Sequence, residues 1–406
     1  MDSQLWQLPL GQAHRITGAA GSLTFVGGVG DFDPTGRIRR PGDVSGQLTG
    51  AVENIATVLA TEGCELADAV RLKVFYRNNG AVDPWRLMAD MLKQFPGDPA
   101  PAVTMQPVVM QPWEDQEIQV QVIAQRGWRT DEDVRVAVRP VPEQHRDLFP
   151  DGVCTAGLRA GELVVVPGRT AADVPGCGLD GIEQTKVVMN DLGAVLSELG
   201  ASFSDAVKKE GYYYGTDLDQ WAEMAAVRAR HFPEPGPVAT VVPWHSGLPE
   251  DARTQIEVLA MREHWNGFDK YIPRGDSWPK RVWDWPIPVP YRQGIRLRDT
   301  IWLGGQVPWA SGANTGAPVL AGQLLPQTRF VMSYIDDILH GFGATTADLS
   351  LLVCYFASDG SPEVTRRFVD AVAECISGPL PPITVVPQPY LHNPETMVEI
   401  WGVARG

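Results

Sequence analysis

Pro101-Ala102-Val103-Thr104-Met105-Gln106-Pro107 returns as Pro237-Val238-Ala239-Thr240-Val241-Val242-Pro243 and again as Pro381-Pro382-Ile383-Thr384-Val385-Val386-Pro387. The three threonines stand 136 and 144 residues apart. Other landmarks keep the same step. Gln47, Gln184 and Gln327 each open a helical stretch, and Gly63, Gly200 and Gly343 each close it. Asp68, Asp205 and Asp348 follow at one constant offset. Landmarks repeated in one order at one period describe three copies of a small domain in a single chain. Function is then to be sought between the copies and in how they differ.

The bulk properties agree. A chain of 406 residues is long for one core, and three units of about 130 residues suit the usual domain range. The hydrophobic fraction of 44% is that of an ordinary globular protein. A net charge of −15, with no basic run to offset it, argues against nucleic acid as a partner, because phosphate contacts need a basic face. Met1-Asp2-Ser3-Gln4 lacks the basic start and apolar run of a signal peptide, and runs such as Leu163-Val164-Val165-Val166 are too short to span a membrane. The expectation is a cytoplasmic protein with no membrane partner. Five widely spaced cysteines form neither a disulfide framework nor a metal set. Seven histidines without HxH or HxxxH spacing give no metal site, and Gly27-Gly28-Val29-Gly30 lacks the spacing of a nucleotide loop, so no cofactor is expected.

The second copy shows the layout most clearly. Arg159-Ala160-Gly161-Glu162 turns into the β-branched strand Leu163–Val166. Apolar residues from Ile182 to Leu199 recur at three- and four-residue spacings, an amphipathic helix closed by Gly200. Lys209–Tyr214 reads as a strand, 217–232 as a second helix stopped by Pro233 and Pro235, and Ala239–Val242 and Thr254–Met261 as two more strands. The order is ββαβαββ, an α+β unit whose helices cover one sheet face. The other face, assigned to Val164, Val166 and Val258, needs burial against the other copies, which a closed pseudo-threefold arrangement provides. Trp265, Trp278, Trp283 and Trp285 crowd the Pro-rich connector before the third copy, so that segment is expected to pack on the body, over an apolar surface or a cleft.

Each copy resembles the RidA (YjgF) family of reactive-intermediate deaminases, small proteins of chorismate-mutase-like fold that form homotrimers with ligand sites between subunits. Pro290-Tyr291-Arg292-Gln293 resembles the family's Pro-Tyr-Ser-Gln, Gly305-Gln306-Val307-Pro308 its Gly-Gln-x-Pro, and Gln184-Thr185 and Gln327-Thr328 its helix start. Thr254-Gln255-Ile256-Glu257-Val258 and Met397-Val398-Glu399-Ile400 resemble its last strand. The resemblance implies an intramolecular pseudo-trimer with RidA-like units at residues 12–128, 146–263 and 290–405 and a Trp/Pro-rich linker at 264–289. It also implies that the chain is a monomer or a homodimer of pseudo-trimers.

In deaminating members an arginine precedes the motif's Ser/Thr and grips the carboxylate of a 2-imino acid in a two-pronged contact. Here the corresponding residues are Val103, Ala239 and Ile383, so all three copies depart from the pattern. The family glutamate matches Glu257 and Glu399, with Gln121 in the first copy, and the family tyrosine matches Tyr291 alone. Glu257 and Glu399 are therefore the candidate acid–base residues. Thr240 and Thr384, with their neighbouring backbone N–H groups, are candidates to steady an oxyanion. Tyr291, Arg169, Arg292 and His245 are candidates to hold the ligand, and His392 occupies the loop corresponding to that of His245; a loop arginine or histidine is otherwise plain surface. The expected function is cofactor-independent hydrolysis of an imine, enamine or other C–N bond of a small metabolite. The alternatives are a metabolite-binding protein without catalysis, or a scaffold acting through protein contacts.

Overall fold

The computed structural model describes residues 14–171, 178, 180–214, 218–247, 252–262, 282–310 and 317–406. In the first repeat, β1 (Thr17–Ala20) and β2 (Leu23–Val29) form a hairpin, followed by α1 (Val44–Thr61), β3 (Ala69–Arg77), α2 (Pro84–Leu92), β4 (Ala102–Val108) and β5 (Ile118–Gln125). The connector then supplies β6 (Arg135–Pro140). The second repeat holds β7 (Val153–Ala160), β8 (Leu163–Arg169), α3 (Gly181–Glu198), β9 (Ala206–Tyr213), α4 (Leu218–Ala229), β10 (Val238–Pro243) and β11 (Thr254–Met261). The third holds β12 (Gly294–Leu297), β13 (Thr300–Leu303), α5 (Leu324–Gly341), β14 (Leu349–Ala357), α6 (Pro362–Ala373), β15 (Ile383–Gln388) and β16 (Val398–Arg405).

The three sheets share one topology. Each runs hairpin, last strand, third strand, fourth strand, and the third and fourth strands are parallel. The exception is β6, which the charged connector adds to the edge of the second sheet by pairing with β7. No helix among the described residues is long and apolar enough to cross a membrane.

The repeated landmarks have structural reasons. Gln47, Gln184 and Gln327 are buried at the starts of α1, α3 and α5, where each carboxamide accepts from the backbone of the loop leading into the last strand: Glu117, Arg253 or Met397. A glutamine amide offers both a donor and an acceptor, so it ties two chain segments at once. Gly63, Gly200 and Gly343 take φ of 67°, 72° and 77° after those helices, a region that side chains disfavour. Asp68, Asp205 and Asp348 accept from the backbone N–H of Glu65, Ser202 and Thr345, closing the turn into β3, β9 and β14.

The repeats close on one another in a ring. Gly168 N–H donates to Thr104 Oγ1 across the first cleft (repeats one and two), Gly305 N–H donates to the Ala239 carbonyl across the second (two and three), and Arg15 N–H donates to the Leu380 carbonyl across the third (three and one). Sheet faces from all three repeats then build one shared apolar centre that includes Phe25, Val165, Leu259, Trp302, Leu351 and Trp401. The faces differ from the sequence expectation by one residue. Val164, Val166 and Val258 pack under their own helices with Val188 and Leu192, whereas their neighbours Leu163, Val165 and Leu259 meet the other repeats. Both faces are apolar, so alternation gives the period but not its phase.

Candidate functional site

The strand ladders decide which last-strand residues are equivalent. Glu399 pairs with Tyr355, Gln255 with Tyr212 and Gln119 with Phe75. Glu257 instead pairs with Glu210, and Gln121 with Lys73, one step of the alternation further on. Equating Glu257 with Glu399 is thus a two-residue misregister. A shift of two keeps side chains on the same face, so the pattern could not reveal it. At the shared rung, among the described residues, the third repeat has the carboxylate and the other two have amides.

Glu257 has another task. Its carboxylate is buried against Arg71 Nε, accepts from Thr104 Oγ1 at 3.2 Å and lies 3.2 Å from Lys73 Nζ. Lys73 also reaches Glu210 at 2.8 Å, and Tyr355 donates to Glu210 at 3.2 Å. Burial pushes the Glu257 carboxyl up, but Arg71 and Lys73 outweigh it and hold its pKa at about 2. This is an ion network between the first two repeats, with the acid fixed in its charged form.

The other candidates sort as clearly. Arg169 is ion-paired with Asp191 of α3 at 2.7 Å. Arg292 pairs with Glu234, and its Nη1 donates to the Tyr291 carbonyl at 3.2 Å. Thr384 accepts from Gln121 Nε2 at 2.9 Å in the third cleft. Thr240 accepts from Lys208 Nζ at 2.5 Å. Lys208 lies 4.0 Å over the Trp401 ring, and burial lowers its pKa to about 7. His245 Nε2 lies 2.8 Å from the Tyr390 carbonyl, and burial lowers its pKa.

The second cleft brings together Tyr291, Glu399, His392 and Ala239, in a space of about 490 Å³ including its open mouth. Gly305 makes this possible. A Cβ there would stand 2.1 Å from Glu399 Oε1 and 2.8 Å from Thr240 Oγ1, so carboxylate and hydroxyl both rest against its bare α-carbon. His392 Nε2–H donates to Glu399 Oε2 at 2.8 Å, giving a carboxylate–imidazole pair in which Glu399 is buried and His392 partly so. The described end of the connector, 282–289, folds over this cleft. Trp283 donates to Gln306 at 3.2 Å and accepts, through its carbonyl, from Gln293 at 2.7 Å. Its ring meets those of Trp285 and Trp309 edge-on, with centroids 4.8 and 4.9 Å away. Trp265 and Trp278 lie outside the described residues.

Two residues, one lining this cleft and one buried beside it, escaped the sequence reading. Arg228 of α4 lines it and is fully buried. Lys209 of β9 is paired directly to Ala239 across the strands, and its Nζ sits 4.9 Å over the Tyr291 ring. Comparison of the repeats carries the signal. Arg228 stands where the other second helices have Met91 and Val372, and Lys209 where the other sheets have Leu72 and Leu352. Burial, with Arg228 and Lys208 nearby, holds the Lys209 pKa well below that of an ordinary lysine. Burial pushes the Tyr291 hydroxyl up to about 12 against the pull of Arg228.

The third cleft, lined by His14, Arg15, Gly28, Val29 and Ile383, has Gln119 at the carboxylate rung. Gln119 donates to the Val385 carbonyl at 2.9 Å and Gln255 to that of Met105 at 3.3 Å, so in these two clefts the amide stitches neighbouring repeats together.

Among known proteins, a family model described as endoribonuclease L-PSP matches residues 150–262, the second repeat. A RutC family protein of Pyrococcus abyssi is 34% identical over 118 residues, 28% of this chain and 90% of that protein. A RutC family protein of Pyrococcus horikoshii is 30% identical over 118 residues, with the same coverage. A crystal structure of a chorismatase covers 83% of this chain and 93% of its own, with a TM-score of 0.55 and 14% identity, a likeness of fold alone. With one repeat matched over nearly the whole length of these relatives and three sheets of one topology, the chain belongs to the RutC family, within the RidA (YjgF) superfamily.

Proposed function

We propose that this protein is a cofactor-independent enzyme that hydrolyses an imine, enamine or related C–N bond of a small metabolite in the second cleft. The observation that carries the reading is the hydrogen-bonded Glu399–His392 pair beside Tyr291. A carboxylate hydrogen-bonded to an imidazole can take a proton from water and deliver one to a leaving amine. In the proposed course, water adds to the C=N carbon as Glu399 accepts its proton, and protonated His392 donates to the nitrogen. Glu399 then gives that proton to the nitrogen, the C–N bond of the tetrahedral intermediate breaks with its electron pair leaving on the amine, and the hydroxyl proton passes to His392 as the carbonyl forms, which restores both groups. The Gly305 backbone lies against Glu399 and positions it.

The test is release of ammonia and 2-keto acid from 2-imino acids generated in place by an amino acid oxidase. The expected result is a rate above the spontaneous one that Glu399→Gln abolishes. A wild-type rate equal to the spontaneous one for aliphatic and aromatic imino acids alike would overturn the reading in favour of binding without turnover.

A further inference from the structure

Several hydrogen-bond donors in and beside the second cleft have no acceptor among the described residues. Arg228 Nε and Nη2, Lys209 Nζ, the indole Nε1 atoms of Trp221 and Trp309, and the Tyr291 hydroxyl are all buried, and none completes a hydrogen bond among the described residues. Arg228 lies close enough to Tyr291 to influence its titration, but the two make no hydrogen bond of good geometry. No carboxylate among the described residues forms an ion pair with Arg228 or Lys209. Buried polar groups are normally paired, and a buried cation without a counter-charge is costly. Both cations occupy positions that are apolar core in the other repeats, filled there by Met91 and Val372 and by Leu72 and Leu352. Packing alone asks for no charge at either place.

Their location is informative. Lys209 is the cross-strand partner of Ala239, and Arg228 and Ala239 line the same cavity. The short alanine leaves the space open, with one cation on the adjacent strand and one on the helix above. Gly211, which replaces the larger Val74 and Cys354 of the other sheets, leaves room for the lysine: a Cβ there would lie 3.6 Å from its Nζ. Four tryptophans, Trp221, Trp283, Trp285 and Trp309, give the rest of the wall its flat surfaces, with aliphatic Ala225, Val241, Ile287, Val289 and Val307 between them. Such rings favour a planar π-bearing body over a small aliphatic one.

We infer that the second cleft takes a planar, ring-sized carboxylic acid, its carboxylate held by Arg228, Lys209 and Tyr291 and its ring between the tryptophans. The inference deepens the proposed function by naming the substrate class of the same site. In it, Arg228 provides the two-pronged grip that suits a carboxylate, and Lys209 provides a point charge beside it. Glu399 and His392 stand in the same cleft, within reach of the rest of the ligand.

The test is titration of the full chain with benzoate and cinnamate, with their neutral amides benzamide and cinnamamide, and with acetate, read by tryptophan fluorescence and thermal shift. Both aromatic acids are expected to bind at least about tenfold more tightly than their amides and than acetate. Arg228→Met is expected to weaken acid binding at least about tenfold and Lys209→Leu several-fold, with amide binding unchanged. Without ligand, both variants are expected to melt no lower than wild type, an outcome that a purely structural role would not give. Equal binding of acid and amide, acid binding unaffected by Arg228→Met, or no saturable binding of either acid at millimolar concentration would overturn the inference. The acid–amide comparison on wild type stands even if a variant fails to fold. Acid binding without any imine hydrolysis would sink the proposed reaction and leave this inference intact. Hydrolysis that is indifferent to a carboxylate and to Arg228→Met would do the reverse.

Discussion

Gln255 and Glu399 occupy the same rung of their sheets, opposite Tyr212 and Tyr355, and each leans on the equivalent hairpin glycine, Gly168 or Gly305. The amide donates across its cleft to the Met105 carbonyl. A carboxylate has no proton to donate, so Glu399 instead accepts one from His392. One atom type separates a stitched interface from a carboxylate–imidazole pair.

Glu399→Gln installs the residue type that the first two repeats carry at this rung. The variant is expected to fold with stability close to wild type and to lose turnover by about 10²- to 10⁴-fold, the usual share of a general base. Steady-state kinetics beside a thermal melt checks both halves. A variant with wild-type turnover would remove Glu399 from the chemistry.

Glu257→Gln should behave in the opposite way. Removing the acid leaves Arg71 and Lys73 buried with less counter-charge, which costs about 3–5 kcal/mol of stability. The pH dependence has a definite sign. The folded pKa of about 2 lies below the ordinary carboxyl value of 4.5, so the contribution is full above pH 4.5 and fades as pH falls toward 2. Urea unfolding of both proteins across that window should show their difference shrinking on acidification. A difference that stayed constant or grew would contradict the assignment.

Gly305→Ala drives a methyl group into Glu399 Oε1 and Thr240 Oγ1. The expected result is a loss of turnover of at least about tenfold, with a stability cost of about 1–3 kcal/mol from overpacking. Normal kinetics in a folded variant would mean that Glu399 need not rest against that α-carbon.

Gly18→Ala tests ring closure away from the cleft. Its Cβ would stand 2.2 Å from the Ser350 carbonyl oxygen and 2.6 Å from the Ser350 α-carbon, backbone atoms of the third repeat. Backbone cannot swing aside as a side-chain tip can, so a loss of about 3 kcal/mol or more is expected in chemical denaturation. An unchanged denaturation midpoint would show that the junction between first and third repeats yields easily.

The repeat unit was legible because its markers answer to local rules. The Gln at each helix start, the Gly at each helix end and the Asp at each following turn have backbone partners within their own repeat, so the same residue type recurs wherever the same turn is built. Tyr291 and Glu399 were legible in the same way, through local motifs. Arg228 and Lys209 were not, since neither belongs to a motif and each sits amid apolar core residues in its own strand or helix. They stand out once the three ladders are laid over one another and leucine, methionine or valine appears in their places.

Sequence alone determined that the chain repeats a ββαβαββ unit, where the two helices of the second copy fall to within a few residues, and, through the family resemblance, that Val103, Ala239 and Ile383 stand at the arginine position of the deaminases. The first two follow from repeated spacing, periodicity and caps; the third follows from the resemblance to the family. Tertiary structure alone decided the phase of the buried faces, the register that separates Glu399 from Glu257, and the gathering of Arg228, Lys209, Tyr291 and His392 around one cleft. Each of these depends on which strand pairs with which, and pairing joins residues more than a hundred positions apart, a distance at which local pattern carries no information.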